Sequence, residues 1–213
     1  MLLIVCAFPI FSQTRIQEEI IGVFSLPVGD FARKDGGAAT FGWAQNGFGF
    51  GLHGIYRINS TIGAGVEGFL LYNALDHQAT DDLFKSATSI PVISSGGNYF
   101  NFPVMGTLSL FFPHPNQVGG SLYGGLGVDF IKITEMNLRD SRTTTRRINF
   151  DTDPAFAFSW GGKMDFKRYF IGLGFMDLGR HTITSTVTGS DGADTSSSTH
   201  TFQIVSFLVG ADF

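Results

Sequence analysis

The chain has 213 residues, a formal net charge of −4, 43% hydrophobic residues and only 15% charged ones, against roughly 25% charged in an ordinary soluble domain. That length suits one domain, and 28 glycines beside 23 phenylalanines ask for a wall with one small face and one greasy face. Its densest basic cluster is Arg142, Arg146 and Arg147, which excludes a nucleic-acid partner needing a broad Lys/Arg surface. The single cysteine, Cys6, excludes disulfides, cysteine zinc sites and cysteine nucleophiles in the rest of the chain.

Residues 1–13, Met1 to Gln13, read as the apolar core of a secretory signal followed by a small-residue cleavage site. The stretch is too short to span a bilayer, which needs about 20 apolar residues. Lipidation at Cys6 is disfavoured because Val5 is larger than the residue expected before a lipidated cysteine. The mature chain is then one domain, 14–213. No later run of about 18 apolar residues exists, so helical spans are excluded.

After the leader the hydrophobic period is two. A first strand is expected over 20–28, with its phase unsettled. Over 47–57, Phe48, Phe50, Leu52 and Tyr56 share one parity, while Gly47, Gly49, Gly51, His53 and Arg57 share the other. Successive strand side chains point to opposite faces, so one face is aromatic and the other small and polar. The same alternation returns over 61–72 (Ile62, Val66, Leu70 against Gly63, Gly65, Glu67) and 100–112 (Phe102, Val104, Leu108 against Asn101, Thr107, Ser109). It continues over 121–130 (Leu122, Leu126, Val128 against Ser121, Tyr123, Asp129) and 155–164 (Phe156, Phe158, Trp160 against Ser159, Lys163). It closes with 169–175 (Tyr169, Ile171, Leu173 against Gly172, Gly174) and 200–213 (Val205, Phe207, Val209 against Ser206, Gly210, Asp212). Asp177 and Lys132 fall on the greasy parity near strand ends, which points to a β-bulge or to a position where a charge is cheap.

The connections alternate. Those at 58–60, 113–117 and 165–168 are short; those at 29–42, 73–98, 134–153 and 180–199 are long and polar. Thr182, Thr184, Thr186 and Thr188 continue the alternation past the greasy band, so the last two strands should project as a hairpin into water. Eight strands of about 9–11 residues, short turns at one end and long loops at the other specify an all-β, eight-stranded, antiparallel up-and-down transmembrane β-barrel with short periplasmic turns and long extracellular loops. Closure also pairs every backbone polar group, as lipid requires. The competing architecture is a soluble lipocalin-like barrel with the greasy parity inside.

The early strand Gly22-Val-Phe-Ser-Leu-Pro-Val-Gly-Asp-Phe-Ala32 and the last strand ending in Phe213 resemble those of the small outer-membrane β-barrel family of Gram-negative bacteria, OmpA-like or OmpX-like in architecture. The resemblance implies an integral outer-membrane location with both termini periplasmic. It also implies insertion by the barrel-assembly machinery through a C-terminal aromatic signal, here Phe213. The peptidoglycan-binding domain of full OmpA has no counterpart in this sequence.

The polar residues on the small-face parity are His53, Arg57, Glu67, Asp129 and Lys163, with Arg180 and Asp212 near the ends. A tight hairpin sets His53 opposite Glu67. An eight-stranded barrel leaves an interior just wide enough for side chains, and an unpaired charge there is costly, so this set reads as a structural polar plug rather than an ion path. Rim chemistry would draw on His77 with Asp76, Asp81 and Asp82, or on His181 with Asp177 and Ser185, but no Gly-x-Ser-x-Gly element places a nucleophile. Asp191-Gly-Ala-Asp194 has too few ligands for a calcium loop and reads as a turn. No His pair has zinc spacing, and Gly47, Gly49 and Gly51 lie within a strand rather than before a helix. No cofactor or metal is expected. The expected function is non-enzymatic: a barrel that presents its loops for interaction, or a small subunit of an outer-membrane complex, with outer-membrane lipid as its surroundings. Solute or ion transport and rim-located lipid modification are the alternatives.

Overall fold

The computed structural model describes residues 15–34, 42–112, 118–140, 145–189 and 192–213. The expected leader, the expected turn at 113–117, Arg142 and Asp191 lie outside them. In chain order the elements are β1 (Ile16–Val28), a 3-10 turn (Gly29–Phe31), β2 (Ala44–Arg57), β3 (Ile62–Leu75), α1 (His77–Thr88), β4 (Val92–Gly96), β5 (Tyr99–Asn101) and β6 (Val104–Phe112). They continue with β7 (Val118–Asp129), β8 (Ile131–Ile133), β9 (Met136–Asp140), β10 (Thr145–Thr152), β11 (Ala155–Phe166), β12 (Tyr169–Gly189) and β13 (Gly192–Asp212).

Ten of these runs join into eight strands that close a barrel. Antiparallel pairing goes from β1 through β2 and β3 to a fourth strand made of β5 and β6, then to a fifth made of β7 and β8, and on through β11, β12 and β13. The circle shuts where β13 pairs with β1, from Glu19 against Asp212 to Val28 against Gln203. The fourth strand is interrupted at Pro103, which has no N–H to give to a ladder. The expected topology of eight antiparallel strands therefore stands, and so does the assignment of faces. Phe48, Leu52, Val66, Leu108, Leu126, Phe156, Trp160 and Ile171 are all more than half exposed. Water would not tolerate so continuous an apolar belt; a bilayer demands it. The greasy parity is outside, which removes the lipocalin-like alternative.

The belt has a sharp upper limit. Outward positions run Leu173 and Phe175 on β12, then Asp177, whose carboxylate accepts from Gln203 at 2.8 Å. A register shift between Asp177 and Gly179 marks a bulge, the device anticipated for a charge on the greasy parity. Above it Arg180, Thr182, Thr184 and Thr186 continue the outward row.

The long connections are more than polar loops. β12 and β13 are 21 residues each. At roughly 3.3 Å per residue and about 9–11 residues per crossing, some ten residues of each rise beyond the belt. β10 pairs with the raised part of β12, β9 with β10, and β4 with β9. One side of the wall thus continues upward as a five-stranded sheet. Its inner face carries Met136, Leu138, Ile148 and Ile183, all buried, and against these pack Trp43, Phe31, Tyr99 and Leu75, with Leu83 and Phe84 of α1 partly buried alongside. The long connections therefore fold into a lobe with its own apolar core. Within it α1 begins at Asp76, whose side chain accepts from Ala79 N, and ends at Ser89 in the left-handed region. Among the described residues no helix is long and apolar enough to cross a membrane.

Candidate functional site: the lumen and the lobe above it

Inward side chains stack in layers. At the short-turn end Arg57 lies 3.2 Å over the Phe111 ring and donates to Gln17 Oε1 through Nε and Nη2, at 3.0 and 2.8 Å. One step deeper is Glu19, only 2% exposed. Its carboxylate takes the Lys163 ammonium and lies 3.0 Å from His53 Nδ1. His53 Nε2 is 2.8 Å from the Thr107 hydroxyl. Lys163 in turn lies against the faces of Phe170 and Tyr123, 4.8 and 5.4 Å from the ring centres. Glu67 accepts from the Ser159 hydroxyl at 2.8 Å.

Above this polar layer the barrel is filled by Ile21, Val23, Phe69, Leu71, Met105, Met176, Ile204 and Leu208, all buried. Gly161 and Gly174 make room for Tyr123, because a Cβ at either would stand 2.6 Å from its hydroxyl oxygen. Higher still Ser25 and Asn73 bond each other, and the apolar core of the lobe closes the top.

His53 and Glu67 do sit opposite each other in the ladder, but the hydrogen-bonding carboxylate for His53 is Glu19. Sequence reasoning missed Glu19 because the phase of the first strand was open. Arg57, Glu67 and Lys163 also face the lumen, with Arg57 a layer nearer the short turns. Asp129 does not join them: it lies at the top of β7, fully buried, with its carboxylate 3.1 Å from His181 Nε2. Charged side chains line the lower part of the lumen, and its middle is apolar.

The rim constellations do not assemble. Asp177 faces outward toward Gln203, and Ser185 bonds Ser196, so neither serves His181. His77 Nδ1 is 3.0 Å from Ser94 Oγ, while Asp81 accepts from Ser94 N rather than orienting His77, and Asp76 is committed to the α1 cap and to Lys34. Among the described residues no three His, Cys, Asp or Glu gather as a metal site.

No family model matches the sequence, and no curated protein matches it. Solved structures do. The chain is similar to Neisserial surface protein A, at 9% identity and TM-score 0.46, over 94% of this chain and 98% of that one. It is similar to Ail, the attachment invasion locus protein of Yersinia pestis, at 14% identity and TM-score 0.46, over 93% and 97%. A major outer membrane protein from Thermus thermophilus aligns at 11% identity and TM-score 0.48, over 93% and 99%. On its own strand pairing and apolar belt, the chain is a small eight-stranded membrane β-barrel with a strand-built lobe at one end.

Proposed function

We propose that this is a non-enzymatic integral protein of a Gram-negative outer membrane that holds its lobe outside the cell as an interaction surface, with both termini in the periplasm. The observation that carries the reading is the contrast between the two halves of the molecule. The lumen is occupied from the Glu19 layer to the lobe core, whereas the raised sheet is long, ordered and largely polar on its outer face. Among the described residues, β13 above Gln203 pairs with a strand on one side only, and its other, Ser/Thr-rich edge is where a partner strand would add. Phe213 serves insertion, and the belt takes outer-membrane lipid.

Two measurements test this. Cysteine introduced at Thr186 in the lobe and at Asn59 in a short turn is exposed to a membrane-impermeant maleimide on intact cells. Labelling at 186 and not at 59 is the expected result; the reverse overturns the orientation. In planar bilayers the protein should give no stable conductance, and a long-lived open state would establish transport in place of presentation. A stoichiometric partner retained in mild detergent would favour the complex-subunit form of the same reading.

A further inference from the structure

We infer that the buried His181–Asp129 pair is a pH-sensitive latch, holding the lobe on the barrel mouth while His181 is doubly protonated and releasing it as the medium turns alkaline. The inference does not depend on which side of the membrane the lobe occupies.

The geometry dictates the charge. His181 Nδ1 is 2.8 Å from the main-chain oxygen of Asp153. Its Nε2 is 2.9 Å from the main-chain oxygen of Leu178 and 3.1 Å from the Asp129 carboxylate. All three neighbours are acceptors. A neutral imidazole has one N–H and one lone pair, so either tautomer would aim a lone pair at an oxygen. Only the imidazolium satisfies both nitrogens, and both side chains are fully buried.

The three acceptors lie on different elements. Asp129 ends β7, Asp153 is in the corner between β10 and β11, and Leu178 lies in the bulge of β12. This is where the raised sheet leaves the barrel wall. The ring also packs edge-on against Phe202, 5.3 Å away, and Phe202 stacks on Phe31 and Tyr99. Tyr99 donates to the carbonyl of Gly42 beside Trp43. One imidazolium thus ties three strands together and backs the cluster beneath the Trp43 segment.

The other ionisable groups nearby do not substitute for it. His200 faces His181 across the β12–β13 ladder but bonds Ser198 at 2.7 Å, and burial holds its imidazole below the usual range despite Asp30. Asp177 and Arg180 on β12 point outward, and Tyr99 stands behind Phe202.

β12 leaves the apolar belt at Asp177, so His181 lies beyond the membrane-spanning part. Burial works against its charge, but the Asp129 carboxylate beside it and the hydrogen bonds to the two carbonyls outweigh that and raise its pKa. A group whose pKa is raised on folding stabilises the fold fully below the unfolded value, about 6.5 for histidine, and the contribution disappears as pH rises through the folded value. Above it, a lone pair meets a carbonyl and Asp129 is left buried without a counter-charge, which is costly.

The sequence contains two tryptophans. Trp43 is completely buried in the lobe, and Trp160 is lipid-facing. In a Trp160→Phe background, acrylamide quenching of Trp43 is followed from about pH 6 to about pH 10, bracketing a raised histidine, in detergent and in liposomes. Quenching should be weak at the acid end and rise severalfold through a single transition, while the barrel keeps its heat-modifiable gel migration. Asp129→Asn should move the midpoint down by about one pH unit, the loss expected when an adjacent opposite charge is removed. His181→Gln should abolish the pH dependence, and His200→Gln should leave it unchanged. Because His181→Gln could compromise folding, imidazole nitrogen NMR of the unaltered protein gives a second readout: His181 must be doubly protonated at about pH 7. A neutral ring there, flat quenching across the range, or a transition that follows His200 instead would overturn the latch.

Discussion

Lys163→Met tests whether the lumen is held by a charge pair or merely filled. Lys163 is 7% exposed and Glu19 2%, and among the described residues the ammonium and the His53 ring are the groups that pair with the Glu19 carboxylate. Methionine keeps the length and the contact with Phe170 but strands the carboxylate, and breaking a buried pair in this way costs about 3–5 kcal/mol. Glu19→Gln strands the ammonium instead. Lys163 still lies over the Phe170 and Tyr123 rings, worth up to about 2 kcal/mol for a desolvated cation, and Asp165 is close enough to act on it. The second single variant should therefore lose less, about 2–3 kcal/mol on the same reckoning. In the double variant no charge is stranded, since Gln at position 19 can still meet His53 and Gln17, and replacing a buried pair by neutral groups is close to neutral. The double loss should be about 1 kcal/mol, far below the sum of the singles, a strong coupling in a double-mutant cycle. Reversible urea unfolding in lipid vesicles, read by Trp160 fluorescence, measures all four proteins. Additive losses, or a Lys163→Met variant as stable as the parent, would refute the claim that Glu19 depends on this partner.

Three further outcomes follow from the turns, the helix and the packed lumen. The hydrogen bond from Lys34 holds the Asp76 carboxyl below its usual range. A carboxylate with a lowered pKa contributes stability above its unfolded value, about 3.9, and loses it as pH falls through the folded one. Amide protection across α1, measured against the intrinsic exchange rate at each pH, should therefore fall on acidification, and Asp76→Ala should lower it at neutral pH by removing about 1 kcal/mol of capping. Lys167 holds φ at 61° in the tight turn before β12, a strain of about 1–2 kcal/mol for a residue with a side chain, so Lys167→Gly should raise the unfolding midpoint, and a fall would show that the turn is not strained. Gly174→Ala brings a methyl to within 2.6 Å of the Tyr123 hydroxyl oxygen and 2.8 Å of Ser206 Oγ. It should destabilise by about 1–3 kcal/mol through overpacking, and Tyr123→Phe in the same chain should recover part of that loss.

The barrel was legible because lipid and lumen impose opposite chemistries on alternate residues. Leu122, Leu126 and Val128 against Ser121, Tyr123 and Asp129 can be sorted without any knowledge of partners, and loop length alone fixed which end is which in relative terms. The first strand resisted because Glu18 and Glu19 are adjacent and Ile20 and Ile21 follow. Its inward row is itself apolar above Glu19, with Ile21 and Val23 buried, so hydrophobicity cannot choose a parity and the central carboxylate stayed hidden. The lobe was missed for a related reason. β9 and β10 interleave Met136, Leu138 and Ile148 with Asn137, Arg139, Arg146 and Arg147. By average composition they look like a polar loop, although their alternation was intact. The signals were present in the Asp76 cap and in the period-two spacing of 136–140, but both are weak over so few residues.

The placement of the charges has its own physical logic. In a narrow barrel a charge can be kept only beside its counter-charge, and counter-charges can be brought together from different strands only where the wall allows side chains to meet across the lumen. Glu19, His53 and Lys163 come from β1, β2 and β11, so their bond network spans much of the circumference and resists relative sliding of those strands. His181 and Asp129 do the equivalent at the top, where β12 slips register by one residue at its bulge, the Leu178 carbonyl turns to the ring, and the Asp153 carbonyl meets it from the corner between β10 and β11. A bulge leaves a main-chain oxygen without a ladder partner, and an imidazolium can donate to that oxygen through one N–H and to a second carbonyl through the other, while its charge faces a carboxylate. The same feature that lets the wall change from lipid-facing to water-facing therefore supplies one of the acceptors that together demand a proton, which ties the stability of the lobe junction to the protonation of one ring.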